Sequence, residues 1–163
     1  MSGDRSRVIQ WNDPAETTRG AEGRTGLAFL RAIIDGAVPP APLQATLGID
    51  LVFADDGTVR FSGTPGEHWY NPMGAVHGGV VCTLLDSCMG AAVMSTLDEK
   101  TGYTTVELSV HLVRGITVKT GPVTAEGRVV HRGNRLMTAE GRLADTAGTV
   151  LAHGTTSCFL LPR

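Results

Sequence analysis

From about His77 to Leu97 the chain is apolar on almost every side, and one carboxylate, Asp86, stands inside that run. A helix built from Val80, Val81, Leu84, Leu85, Met89, Ala91, Ala92, Val93 and Met94 has no polar face to turn to water. It must be buried all round or cross a membrane. Asp86, the polar flanks and the glycines argue against a membrane span. The run therefore predicts one long helix wrapped by the rest of the fold, with Gly78, Gly79 and Gly90 letting a sheet come close to it.

What surrounds this helix reads mostly as strands. Ile49–Ala54 and Thr58–Ser62 flank Asp55–Asp56–Gly57, the signature of a hairpin turn. Beyond the helix, Val106, Leu108, Val110 and Leu112 alternate with Thr105, Glu107, Ser109 and His111, the period of a half-buried strand. Val123–Val130, Leu136–Ala144 and Val150–Leu161 follow, with turns at Gly133–Asn134 and Asp145–Gly148. Upstream, Leu27, Leu30 and Ile34 fall at helical spacing, and Gly36 and Pro39–Pro40 stop that helix. The order predicts an α+β fold, an antiparallel sheet curled round a central helix.

The chain has 163 residues, enough for one domain and one core. Residues 1–24 are polar and predict a flexible or partner-docked arm, with Trp11 as a possible anchor; the domain proper is expected over 25–163. A net charge of −2 argues against a nucleic-acid surface. Cys82 and Cys88 fall on nearly opposite helix faces, so free thiols in a reducing compartment are expected of them and of Cys158. Met1–Gly26 contains no long apolar stretch, which predicts no leader or anchor there and a cytoplasmic location.

The residues suited to chemistry gather where the loop Pro65–Val76 meets the long helix. A carboxylate in an apolar helix is costly unless it is paired or useful, so Asp86 is either a structural acid with a hydroxyl or backbone partner or a catalytic one. Gly78 and Gly79 open the helix, where amides have no partner within it and the dipole favours an oxyanion. Tight packing is the plainer reading for a glycine pair. His77 is a base or, more in keeping with its position, a structural group bonding loop backbone. No His/Cys/Asp set has metal-ligand spacing, and no nucleophile-elbow or phosphate-loop motif is present. Gly78 and Asp86 are eight positions apart, about 12 Å of helical rise. One reacting carbonyl cannot touch both within a single chain. If both serve one reaction, the site lies across a twofold dimer.

The run from Asn71 through His77-Gly78-Gly79 to Asp86 resembles the acyl-coenzyme A thioesterases of the hotdog superfamily, closest to the phenylacetate-pathway branch. The stretches beginning at Thr104, Gly127 and Ala152 are similar to that family in the right order, so the resemblance covers roughly residues 40–163. It implies a six-stranded antiparallel sheet wrapped around the central helix. It also implies roles: Asp86 as general base or nucleophile, Gly78 as the amide that polarises the carbonyl, Asn71 as an orienting group. Thr104 would position the water, and His77 would anchor the loop or contact the sulfur. The Arg132-Gly133-Asn134-Arg135 turn would line the coenzyme A channel, with either arginine meeting phosphate. The family's usual proline after the third strand's arginine is replaced here, in Arg114-Gly115.

The resulting expectation is hydrolysis of an aromatic or medium-chain acyl-coenzyme A by a homodimer or a dimer of dimers. No separate cofactor is needed, since coenzyme A belongs to the substrate, and no nucleic-acid or membrane partner is expected. A non-catalytic acyl-thioester-binding module and a hydroxyacyl-thioester dehydratase using His77 and Asp86 are the rivals. Trp69, Tyr70, Met73 and Met89 could line an apolar acyl pocket; ordinary core is the preferred reading for Met89.

Overall fold

The computed structural model describes residues 4–162. Three helices precede the sheet: α1 (Pro14–Gly20), α2 (Gly26–Ile34) and α3 (Pro42–Leu47). Then come β1 (Ile49–Asp55), β2 (Thr58–Gly63), the long helix α4 (Gly78–Met94) and strands β3 (Thr101–Leu112), β4 (Val123–Arg132), β5 (Leu136–Asp145) and β6 (Val150–Pro162). All neighbours pair antiparallel, in the order β1-β2-β4-β5-β6-β3. This six-stranded sheet wrapped on one helix is the hotdog fold expected above.

The wrapping is a consequence of α4's composition. Leu84, Leu85, Cys88, Met89, Ala92 and Val93 are all but sealed from solvent, and the inward rows of the sheet close over them with Val59, Ala125, Ala139 and Leu143. Trp69 and Met89 belong to this core. Burial pushes the Cys88 thiol up to about 12, so it stays protonated and unreactive at neutral pH. All three cysteines are free.

Glycine governs how closely sheet and helix meet, though not only where the sequence suggested. On α4, Gly90 gives way to a strand residue, Tyr103. On the sheet, Gly127 lies against the α4 backbone itself: a Cβ there would stand 2.3 Å from the Cys88 carbonyl oxygen and 2.6 Å from the Met89 nitrogen. Gly79, in contrast, meets only the ring of its neighbour His77. Gly127→Ala should force sheet and helix apart. Overpacking of this kind costs about 1–3 kcal/mol, or a fall in Tm of about 2–12 °C for a chain this size. Thermal unfolding checks it; an unchanged Tm would contradict this packing.

Strand β3 departs from strict alternation. Its pairing with β6 shifts register between Thr105 and Glu107, a bulge that turns Val106 out to 57% exposure. Leu108 and Val110 still pack on the core, while Thr105 changes phase and joins Tyr103 on the inner side. The β1–β2 turn closes on Gly57 at φ +76°, as its sequence predicts.

Within residues 4–24, several side chains reach the chain's own body. Arg7 donates to the carbonyls of Thr46 and Ala45 at 2.9 and 3.0 Å, Thr17 to that of Pro39 at 3.0 Å, and Arg5 pairs with Glu67. Ala21 packs with Phe29 and Val38, while Trp11 stays 61% exposed. Residues 1–3 of the expected arm, and Arg163, lie outside the described residues.

Candidate active site

The site begins where the loop enters α4. The Asn71 amide donates to the Ala75 carbonyl at 2.7 Å, and its side-chain oxygen accepts from the amides of Met73 and Ala75 at 2.9 and 3.3 Å. These bonds close the loop around Gly74, whose φ is +79°. They also commit the Asn71 oxygen, leaving the NH2 group as what this side chain can offer a ligand. Met73, on the tip of the loop, is 91% exposed. Tyr70 is a clip whose hydroxyl accepts from the Val118 amide at 2.9 Å. Of the four residues suggested for an acyl pocket, Trp69 and Met89 are buried in the core, Tyr70 is tied to Val118, and Met73 faces solvent.

His77 caps the helix. Its Nδ1 accepts from the Gly79 amide at 2.9 Å, and its own backbone amide donates to the Trp69 carbonyl at 2.8 Å. A ring whose Nδ1 accepts carries its proton on Nε2, so the exposed side of His77 presents a donor. With the Gly79 amide taken by the cap, the Gly78 amide has no hydrogen-bond partner among the described residues. That N–H is the first of α4 and carries the positive end of its dipole. It borders a cavity of about 270 Å³ shared with Asn71, Val81, Leu112 and Arg114.

Asp86 stands two turns further along α4. It is partly buried, and its Oδ1 accepts from the Thr105 hydroxyl at 3.0 Å. The partner demanded by a carboxylate in this helix is therefore a strand hydroxyl. It is not the one the resemblance pointed to: Thr104 is exposed on the other side of β3. The bulge at Val106 explains the difference. Strict alternation from Leu112 backwards sends Thr105 outward with the polar set; one extra residue in the strand brings it in. Around this pair lie two acids that the Asp86 charge reaches. Burial first, with that charge adding to it, holds the Tyr103 hydroxyl and the Cys158 thiol above their ordinary values.

The Arg132–Arg135 turn sits at the opposite end of α4. Arg132 is held by Asp56 at 2.8 Å, and Arg135 lies over the Phe159 ring with no ion pair among the described residues. Arg132, Gly133 and Asn134 border a cleft of about 680 Å³ with Thr96, Asp98 and Lys100. Within one chain, these site residues do not converge. Asn71, His77 and Gly78 share the N-terminal end of α4, Asp86 with Thr105 its middle, and the Arg-Gly-Asn-Arg turn its far end.

The hotdog scaffold, with an unpaired helix-start amide and a carboxylate held by a hydroxyl, is that of proteins that act on thioesters. Known proteins agree. The thioesterase superfamily profile matches residues 73–152. A Halobacterium salinarum protein, named provisionally as an esterase, is 30% identical over 135 residues, covering 76% of this chain and 83% of its own length. A phenylacetic acid degradation-related protein of Ralstonia eutropha, provisionally a thioesterase, superposes with TM-score 0.72 at 23% identity, over 80% of this chain and 98% of that one. A Streptococcus mutans protein solved bound to acetyl coenzyme A gives 0.64 at 22% identity, over 71% and 90%. The chain belongs to the thioesterase superfamily, and its reaction is thioester hydrolysis. Among the described residues, no helix is long and apolar enough to cross a membrane.

Proposed function

We propose that this protein hydrolyses an acyl-coenzyme A, with an aromatic or medium-chain acyl group, in active sites shared between two copies of the chain. The observation that carries this reading is the pair of half-sites on one helix. Gly78 offers an unpaired amide, and Asp86 a hydroxyl-held carboxylate about 12 Å away. A twofold partner supplies to each the half it lacks.

Strand β3 supports the arrangement. It is the last strand of the sheet, twelve residues long, with one row of backbone groups unpaired and Val106 and Leu112 exposed beside it. Such an edge is a template for another strand. Leu112 is the residue nearest Gly78, and Thr105 the one that holds Asp86. Antiparallel pairing of two β3 edges about Leu108–Ser109 would bring Thr105 of one copy opposite Leu112 of the other. Asp86 of one chain would then meet Gly78 of the partner subunit.

In this site the Gly78 amide and the dipole behind it hold the carbonyl oxygen as it becomes an oxyanion. Water attacks the carbonyl carbon while Asp86 takes its proton, or Asp86 attacks first and water releases the acyl group. The C–S bond breaks, and the thiolate leaves with a proton as the free thiol. Thr105 fixes one Asp86 oxygen so that the other faces the reaction. The Asn71 NH2 orients the carbonyl or the water, and the Nε2–H of His77 is placed to meet the sulfur. Arg135, which unlike Arg132 has no carboxylate partner among the described residues, suits a coenzyme A phosphate, with Gly133 and Asn134 shaping the channel. Coenzyme A enters as substrate, and no further cofactor is called for. Three free thiols fit a reducing compartment such as the cytoplasm.

A panel of acyl-coenzyme A esters followed by free-thiol release tests the reading. One thiol should appear per ester consumed. Tight binding of every ester without thiol release would favour a non-catalytic binding module. The role given to Thr105 has its own check. Thr105→Val should lower kcat about tenfold, the scale of a lost hydrogen bond to a charged group, while Thr104→Val should leave it unchanged. Equal effects would undo the assignment.

A further inference from the structure

The Tyr103 hydroxyl is a donor that the chain itself leaves unused. It makes no hydrogen bond among the described residues. None of the described buried side-chain oxygens or nitrogens lacks a partner, so this oxygen must touch accessible space. Its ring is partly buried between β3 and α4, and room for it is made by Gly90. A Cβ at Gly90 would stand 2.7 Å from the hydroxyl oxygen and 3.0 Å from the ring. Gly90 is one helical turn beyond Asp86, about 6 Å along the axis, and on the same face of α4. The hydroxyl therefore lies beside the reacting centre, displaced towards the C-terminal end of the helix.

A buried phenol ordinarily finds a partner. One that is held in place by a helix glycine, keeps an accessible oxygen with no partner among the described residues, and stands a turn beyond Asp86 can take its partner from the ligand. We propose that Tyr103 is a specificity-determining residue that donates a hydrogen bond to the distal part of the acyl group. The preferred substrates are then acyl thioesters bearing a keto or hydroxyl oxygen about four bonds beyond the thioester carbonyl. The inference rests on the reading of Asp86 as the reacting centre. Burial and the nearby Asp86 charge keep the phenol protonated throughout the working range, so it serves as a donor only.

Hexanoyl-coenzyme A and 5-oxohexanoyl-coenzyme A form a matched pair, because a keto oxygen can only accept. The native protein should show a kcat/KM about ten- to a hundredfold higher for the oxo ester, as expected when a substrate meets a site built to hydrogen-bond it. Tyr103→Phe keeps the ring over Gly90 and should erase that preference while leaving hexanoyl turnover in place. Dissociation constants for both esters, measured on Asp86→Asn and on the double variant with Tyr103→Phe, should show the same preference present and then lost. Hydrolysis with equal kcat/KM for both esters, or an equal fall for both in Tyr103→Phe, overturns the role of Tyr103 and leaves the hydrolase reading standing. No hydrolysis, with the binding preference intact and Tyr103-dependent, removes the hydrolase reading and upholds the role of Tyr103.

Discussion

Asp86→Asn should lower kcat by about 10²–10⁴, the share that a positioned base or nucleophile contributes, while the protein remains folded. Asparagine keeps the shape of the side chain, and its oxygen can still accept from the Thr105 hydroxyl that now sits 3.0 Å away. What it loses is the negative charge and the ability to take a proton from water. The substitution removes a partly buried charge from an otherwise apolar helix, so stability should hold or rise. Steady-state thiol release with a thermal melt separates the two effects. Turnover within tenfold of the native protein, with an unchanged melt, would mean that Asp86 is a structural acid and the chemistry lies elsewhere.

Gly78→Pro is expected to lower kcat by about 10²–10³, the cost of removing one oxyanion donor. Proline has no N–H, yet the first position of a helix is where it is best tolerated. The preceding residue, His77, is already extended at φ −64° and ψ 133°, the conformation proline demands of its predecessor. The variant therefore removes the donor, a ring carbon taking the place of its hydrogen, with little demand on the fold. Gly78→Ala is the control. It keeps the amide, and its Cβ meets only the movable end of Leu112 at 2.9 Å. Alanine should retain distinctly more activity than proline. Equal loss in both would point to crowding rather than to the donor.

Much of this site was legible before the fold was. The apolar run around Asp86 required a wrapped helix, and the spacing of Gly78 and Asp86 required two chains if both were to act. His77 as a loop-bonding cap also follows from its place before a helix-opening glycine pair, and the cap's Nδ1 bond to Gly79 leaves the Gly78 amide unpaired. That Thr105, next to Thr104, holds Asp86 was not legible, because a bulge leaves no mark in an alternating pattern. Val106 is as apolar as Leu108 and Val110, and only the pairing with β6 reveals that it stands out of phase with them. The short helices α1 and α3 escaped notice for a related reason. Six or seven residues are too few to show a helical period, and no residue in either is buried. Tyr103 and Gly90 are unremarkable letters in sequence; their relation exists only once β3 lies on α4.

The shared site is the centre of this account, and mixed dimers test it most directly. Asp86→Asn and Gly78→Pro chains, each nearly inactive alone, are tagged differently, co-expressed and purified as the doubly tagged species. Each such dimer would hold one site carrying both lesions and one carrying neither. The account predicts recovery to about half the native activity per dimer, from one intact site of the two that twofold symmetry provides. Activity remaining at the level of the parent variants, in a dimer shown to contain both chains, would contradict it.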